Sequence, residues 1–82
     1  MAGYRGEPLR QALGARLKAA RRAAGLTQAQ AAAAIGTTRT NLTMWELGYH
    51  DIGYSRLIKM VVLYRMDPAT VFDTDLPALE TE

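Results

Sequence analysis

Gly25-Leu-Thr-Gln-Ala-Gln-Ala-Ala-Ala-Ala-Ile-Gly-Thr-Thr-Arg-Thr-Asn-Leu-Thr-Met-Trp-Glu-Leu-Gly48 is the stretch that decides how this chain folds. Behind Thr27, a residue type that caps helix N-termini, Ala31, Ala32 and Ile35 recur at helical spacing, and Gly36 supplies the left-handed backbone that closes a helix. A first short helix is therefore predicted from about Gln28 to Ile35. Thr38 is a second N-cap, standing before Arg39-Thr-Asn-Leu-Thr-Met-Trp-Glu, in which Leu42 and Trp45 lie three apart on the inward face. Gly48 places the end of this second helix near Leu47. A connection of about three residues forces the two helices to cross steeply rather than to lie antiparallel. The small side chains of Ala31, Ala32 and Ala34 suit a close approach at that crossing.

Outward from this pair, Leu9, Leu13, Leu17, Ala20 and Ala24 form an apolar stripe at three- to four-residue spacing, which predicts a helix from about Pro8 to Ala24 with Gly25 as its stop. On the C-terminal side, Leu57, Ile58, Met60, Val61 and Val62 predict a helix from about Ser55 to Arg65, apolar enough to be buried on more than one side. Asp67-Pro68 starts a short fifth helix whose apolar face is Val71 and Phe72. The reading is all-α: a compact bundle of about five short helices over 8–73, an N-terminal arm over 1–7, and an acidic C-terminal tail over 74–82 in which Leu76 and Leu79 could dock.

Eighty-two residues allow one small domain with a single core. A hydrophobic content of 49% and a charged content of 22% exclude a disordered composition. Cysteine is absent, so there is neither a disulfide framework nor a thiolate zinc site. No apolar segment has the length of a membrane span or the form of a signal peptide, and the chain reads as cytoplasmic. The net charge of +2 is unevenly spread. Up to Gly48, seven basic residues (Arg5, Arg10, Arg16, Lys18, Arg21, Arg22, Arg39) stand against Glu7 and Glu46, whereas the remainder has three basic residues against six acidic ones. The half holding the two short helices is thus the half a polyanion would approach. Arg16, Lys18 and Arg22 meet phosphate on this reading, or simply solvate a helix face.

The residues Gly25-Leu-Thr-Gln, Ile35-Gly36, Thr38-Arg39 and Glu46, two before Gly48, together resemble the Cro and phage-repressor (Xre-like) helix-turn-helix family, over about Leu13 to Phe72. Ala31 in place of a common leucine, Leu47 in place of a common asparagine and the Tyr49-His-Asp-Ile-Gly loop depart from its usual pattern. The resemblance implies a lambda-repressor-like fold that binds double-stranded DNA and regulates transcription, most simply as a repressor.

Residues at the start of a recognition helix point into the major groove, so Arg39 and Thr40, then Thr43 and Met44 one turn later, are the predicted base readers, and the matching family positions read bases. Arginine can bond guanine O6 and N7, while threonine and methionine offer methyl contacts to thymine. Arg39 on a phosphate and Met44 as a packing residue are the competing readings. Helix N-termini favour anions, which makes Gln28 and Thr38 the predicted phosphate anchors, as at the matching family positions. Asn41, Tyr49 and Arg22 are further phosphate candidates. The resemblance also implies that Glu46 pairs inside the domain with Arg21.

A lone His50, with Asp51 beside it and no cysteine, has the partners of neither a metal site nor a triad, and Trp45 is spaced as a core residue. No catalytic residue, metal ligand or cofactor is predicted, and the chain is not read as an enzyme. One small module buries little surface on DNA, so a homodimer on a pseudo-palindromic operator is expected, with its contact placed on Met66, Val71, Phe72 and Leu76. The alternative is an antitoxin or other protein-interaction module, its C-terminal segment holding a protein partner and its DNA binding secondary.

Overall fold

In the computed structural model, which describes residues 7–71, five helices succeed one another: α1 (Glu7–Ala23), α2 (Gln28–Ile35), α3 (Arg39–Leu47), α4 (Tyr54–Leu63) and α5 (Pro68–Val71). Among the described residues there is no strand. The N-terminal arm up to residue 6, the tail over 74–82, and Phe72 and Leu76 lie outside the described residues. Glu7, expected in the arm, already begins α1.

The helix ends form where cap chemistry places them. The Thr27 hydroxyl accepts from the Gln30 backbone N–H at 3.1 Å, and the Gln30 side chain in turn accepts from the Thr27 N–H at 2.9 Å. Gly36, at φ 87°, lets its own N–H and that of Thr37 bond the Ala32 carbonyl at 3.0 and 2.9 Å, which closes α2 and turns the chain. Thr38 then caps α3 by accepting from the Asn41 N–H at 3.1 Å. Asp67 caps α5 through the Ala69 N–H at 3.0 Å.

The core is built where these helices meet. Leu17 of α1, Ile35 of α2, Leu42 of α3 and Met60 of α4 are sealed from solvent, Ala31, Ala32, Trp45, Ile52 and Tyr64 join them in the central cluster, and Val71 of α5 is buried as well. Each large apolar side chain so buried contributes on the order of 1.5–3 kcal/mol. The α1 stripe is narrower than its spacing suggests: Leu17 is buried and Leu13 and Ala20 half-buried, but Leu9 and Ala24 are exposed. Ala34, expected at the α2–α3 crossing, is exposed as well; the buried side of α2 is formed by Ala31, Ala32 and Ile35.

The closest approach is one that the apolar spacing did not announce. α1 lies directly on α3 at Gly14, where an added Cβ would sit 2.5 Å from the backbone carbonyl oxygens of both Trp45 and Glu46. A glycine inside a helix costs about 1 kcal/mol relative to alanine, and here the lost propensity is exchanged for contact between two backbones.

α4 also departs from expectation. Only Met60 is buried, while Tyr54, Ile58 and Val62 are exposed, because the packed neighbours of α4 lie along one face. α4 ends with Arg65 at φ 57°, the left-handed position where glycine is the usual residue, as the Met66 N–H bonds the Val61 carbonyl at 3.0 Å.

The Tyr64 hydroxyl is buried and has no hydrogen-bond partner among the described residues. Burial, with the Glu46 carboxylate adding and Arg21 opposing, pushes its pKa up from 10.0 to about 12. A raised tyrosine pKa stabilises the neutral folded form; that contribution is complete below pH 10 and is lost as the pH rises through about 12. Tyr64→Phe is therefore expected to leave stability unchanged or raise it by about 1 kcal/mol at neutral pH. The same substitution should flatten the alkaline fall between pH 10 and about 12 in urea titrations. A clear loss at neutral pH would mean that the hydroxyl is bonded in solution.

Candidate nucleic-acid interface

The three-residue turn sets α3 across α2 and leaves the first turn of α3 on the surface. Arg39 and Thr40 are exposed there, and Thr43 and Met44 come one turn later, each half-buried. The Thr43 hydroxyl donates to the Arg39 carbonyl at 2.9 Å, so this side chain offers a methyl group and an acceptor oxygen. Asn41 donates from its side-chain amide to the Thr37 hydroxyl at 3.2 Å, joining the turn to the helix it precedes.

Behind α3 a chain of hydrogen bonds runs from the core to the surface. Arg21 of α1 grips Glu46 of α3 with two bonds, Nε to Oε2 at 2.7 Å and Nη2 to Oε1 at 3.2 Å, and its Nη1 donates to the Leu26 carbonyl at 2.8 Å. Both side chains are buried, 6% and 5% exposed, so the pair implied by resemblance is present and lies in the interior. The Gln28 side chain, a predicted phosphate anchor, donates to Glu46 Oε1 at 3.0 Å and accepts from Arg39 Nε at 3.4 Å. A primary amide carries two N–H donors, so one of those on Gln28 stays available to an anion. The route Arg21, Glu46, Gln28, Arg39 thus ties the exposed guanidinium to an interior ion pair. Residue spacing carries no trace of this link, since Gln28 and Glu46 are 18 positions apart.

Beside Arg39 an open hollow of about 670 Å³ is lined by Lys18, Arg21, Arg22, Thr27 and Gln28. It lies against the N-terminus of α2, whose free N–H groups and dipole also favour anions. Arg22, a predicted phosphate ligand, is thus on this hollow, with Lys18 close by. Arg16 is not: its guanidinium donates to the Thr70 carbonyl of α5 at 2.7 Å. Thr38 is exposed and engaged as a cap, and Tyr49 is exposed just past Gly48. Arg10, not anticipated as part of this region, donates to the Gly48 carbonyl at 3.1 Å and lies 3.7 Å from Asp51, steadying the loop that succeeds α3. Trp45 is buried as expected, with the Arg56 guanidinium 5.7 Å from its ring centre.

The expected dimer residues sit differently. Val71 is 3% exposed and Met66 packs partly buried against the core, so both side chains are engaged within their own chain. Among the described residues no group of three histidine, cysteine or acidic side chains could hold a metal ion, and no helix is long and apolar enough to cross a membrane.

Residues 12–71 match the family model described as a helix-turn-helix domain. No curated protein matches the chain significantly.

Proposed function

The chain belongs to the helix-turn-helix domain family, a DNA-binding fold, and on that footing we propose that it is a sequence-specific regulator of transcription. In this reading it places α3 in the major groove of double-stranded DNA. The carrying observation is the exposed start of α3, Arg39 and Thr40, beside a hollow lined by Lys18, Arg22 and Gln28 at a helix N-terminus. Arg39, Thr40, Thr43 and Met44 read bases. Lys18, Arg22, Thr38, Asn41, Tyr49 and the free N–H of Gln28 hold phosphates on either side. The chain works without catalysis or cofactor, in the cytoplasm where the DNA is. It acts as a homodimer on a pseudo-palindromic operator, and most simply represses by occluding the site.

Selection of binding sites from random duplex DNA at physiological salt tests this directly, and an enriched inverted repeat is the expected outcome. On that repeat Arg39→Ala should weaken binding about 10- to 100-fold and relax preference at one base pair, the loss of one bidentate contact. Lys18→Ala should weaken all duplexes alike and lower the salt slope by about one. Binding that scarcely depends on sequence would instead describe a general DNA-coating protein.

One observation favours the second reading, an antitoxin or other interaction module. Tyr54, Ile58 and Val62 are exposed at four-residue intervals along one side of α4, an arrangement that suits a protein partner. Failure to enrich any sequence, together with co-purification of an unrelated small protein, would shift the function to that reading.

A further inference from the structure

α4 carries apolar residues on two faces, and the core takes up one of them. Met60 is sealed in the interior with Leu57 half-buried beside it, whereas Tyr54, Ile58 and Val62 are 78%, 44% and 71% exposed. At 100° and 1.5 Å per residue, Tyr54 and Val62 lie about 40° to either side of Ile58, so the three form one stripe about 12 Å long. The outer face of a surface helix is ordinarily polar. Three large apolar side chains in register there, unlike a single exposed one, mark a contact surface.

We infer that a second copy of this chain docks on this stripe, the two α4 helices lying antiparallel across a twofold axis at Ile58. The stripe is complementary to itself about that axis: Tyr54 of each copy faces Val62 of the other, large against small. Charge agrees with the same arrangement. Asp51 precedes α4 with its side chain 86% exposed, and the exposed Arg65 follows it, so an antiparallel pair brings Asp51 of each copy towards Arg65 of the other. Lys59 stands about 100° round the helix from Ile58, and the axis sends the lysines of the two copies to opposite edges. At these exposures the stripe offers roughly 300 Å² of apolar surface per copy, against about 800 Å² per partner in a standard stable interface. The free pair is therefore weak, with a dissociation constant on the order of 10–100 µM. Two copies on adjacent half-sites meet at about millimolar effective concentration, which fills the contact; that use rests on the regulator reading, while the contact itself needs no DNA. This surface takes the place of Met66 and Val71, which are engaged in their own chain.

Sedimentation of the intact chain without DNA, from about 10 to 500 µM, should show a reversible equilibrium between one copy and two. Ile58→Glu changes an exposed position, so it should leave the circular dichroism spectrum unaltered while weakening the association at least about 30-fold. Asp51→Lys and Arg65→Glu should each weaken it about three- to tenfold, because each sets like charges together at both ends of the pair. Combined in one chain, the two exchanges should restore the wild-type affinity, since opposite charges then face each other again; a parallel pair would show no such rescue. A chain that stays single at the highest concentration would overturn the surface. So would a pair indifferent to Ile58→Glu, a combined variant as weak as the single ones, or an unrelated protein that holds α4 through purification. Failure to enrich any DNA sequence would sink the regulator reading and leave the surface standing, while a solitary chain that still enriches one would do the reverse.

Discussion

Glu46→Ala is expected to lower the thermal midpoint of the domain by about 15–30 °C. The substitution leaves the Arg21 guanidinium, 6% exposed, with the Leu26 carbonyl as its one remaining bond and no anion to balance it. Removing one partner of a buried ion pair costs about 3–5 kcal/mol, because the surviving charge keeps its desolvation penalty and loses its compensation. The side-chain amide of Gln28 loses its acceptor at the same time. A domain of this size has a total stability on the order of 5–10 kcal/mol, so the variant sits close to unfolding at ambient temperature. Arg21→Ala should behave alike, and exchanging the two, Arg21→Glu with Glu46→Arg, should recover part of the loss. Calorimetry decides the matter: single variants that melt with the wild type would mean that the pair contributes nothing to the fold.

Gly14→Ala should destabilise the domain by about 2–4 kcal/mol, although alanine is the better helix former. By propensity alone the substitution would stabilise α1 by about 1 kcal/mol. Against that gain, the new methyl carbon would lie 2.5 Å from two backbone carbonyl oxygens of α3. Neither oxygen can swing aside as a flexible side chain can, so the helices must separate, and the separation loosens the packing of Leu17 against Leu42 and Trp45. A longer Arg21–Glu46 distance results from the same movement. Urea unfolding measures the net effect, and a midpoint raised above that of the wild type would show that α1 and α3 do not meet as described. The two variants act on one joint, so their losses should fall short of additive when combined.

How legible each part was depends on how far its causes lie apart in the chain. The bounds of α2 and α3 came out residue for residue, because Thr27, Gly36, Thr38 and Gly48 act on backbone groups within a turn of themselves. The Arg21–Glu46 pair, 25 positions apart, was expected from family likeness and not from periodicity. Nothing in the apolar spacing of α1 singled out Gly14, whose partner backbone lies more than thirty residues away. The excess burial expected of α4 failed for a related reason: apolar residues on several sides of a helix say that burial is possible, not that a neighbour is present to supply it. Gln28 stood at the helix start where an anion contact is reasonable, but its link to Glu46 and Arg39 exists only once α2 and α3 are packed.

The local grammar of this protein is written in its residue order: where helices begin and stop, which short turn joins α2 to α3, and which half carries the positive charge. Those features arise from φ preferences, capping bonds and charge, all of which act over a few residues. Packing alone settles that α1 lies against the α3 backbone at Gly14, that Arg39 is joined through Gln28 to an interior ion pair, and that α1 and the start of α2 frame a basic hollow beside Arg39. Those are matters of distance between residues far apart in the chain, and they are set when the shared core of Leu17, Ile35, Leu42 and Met60 fixes how the helices cross.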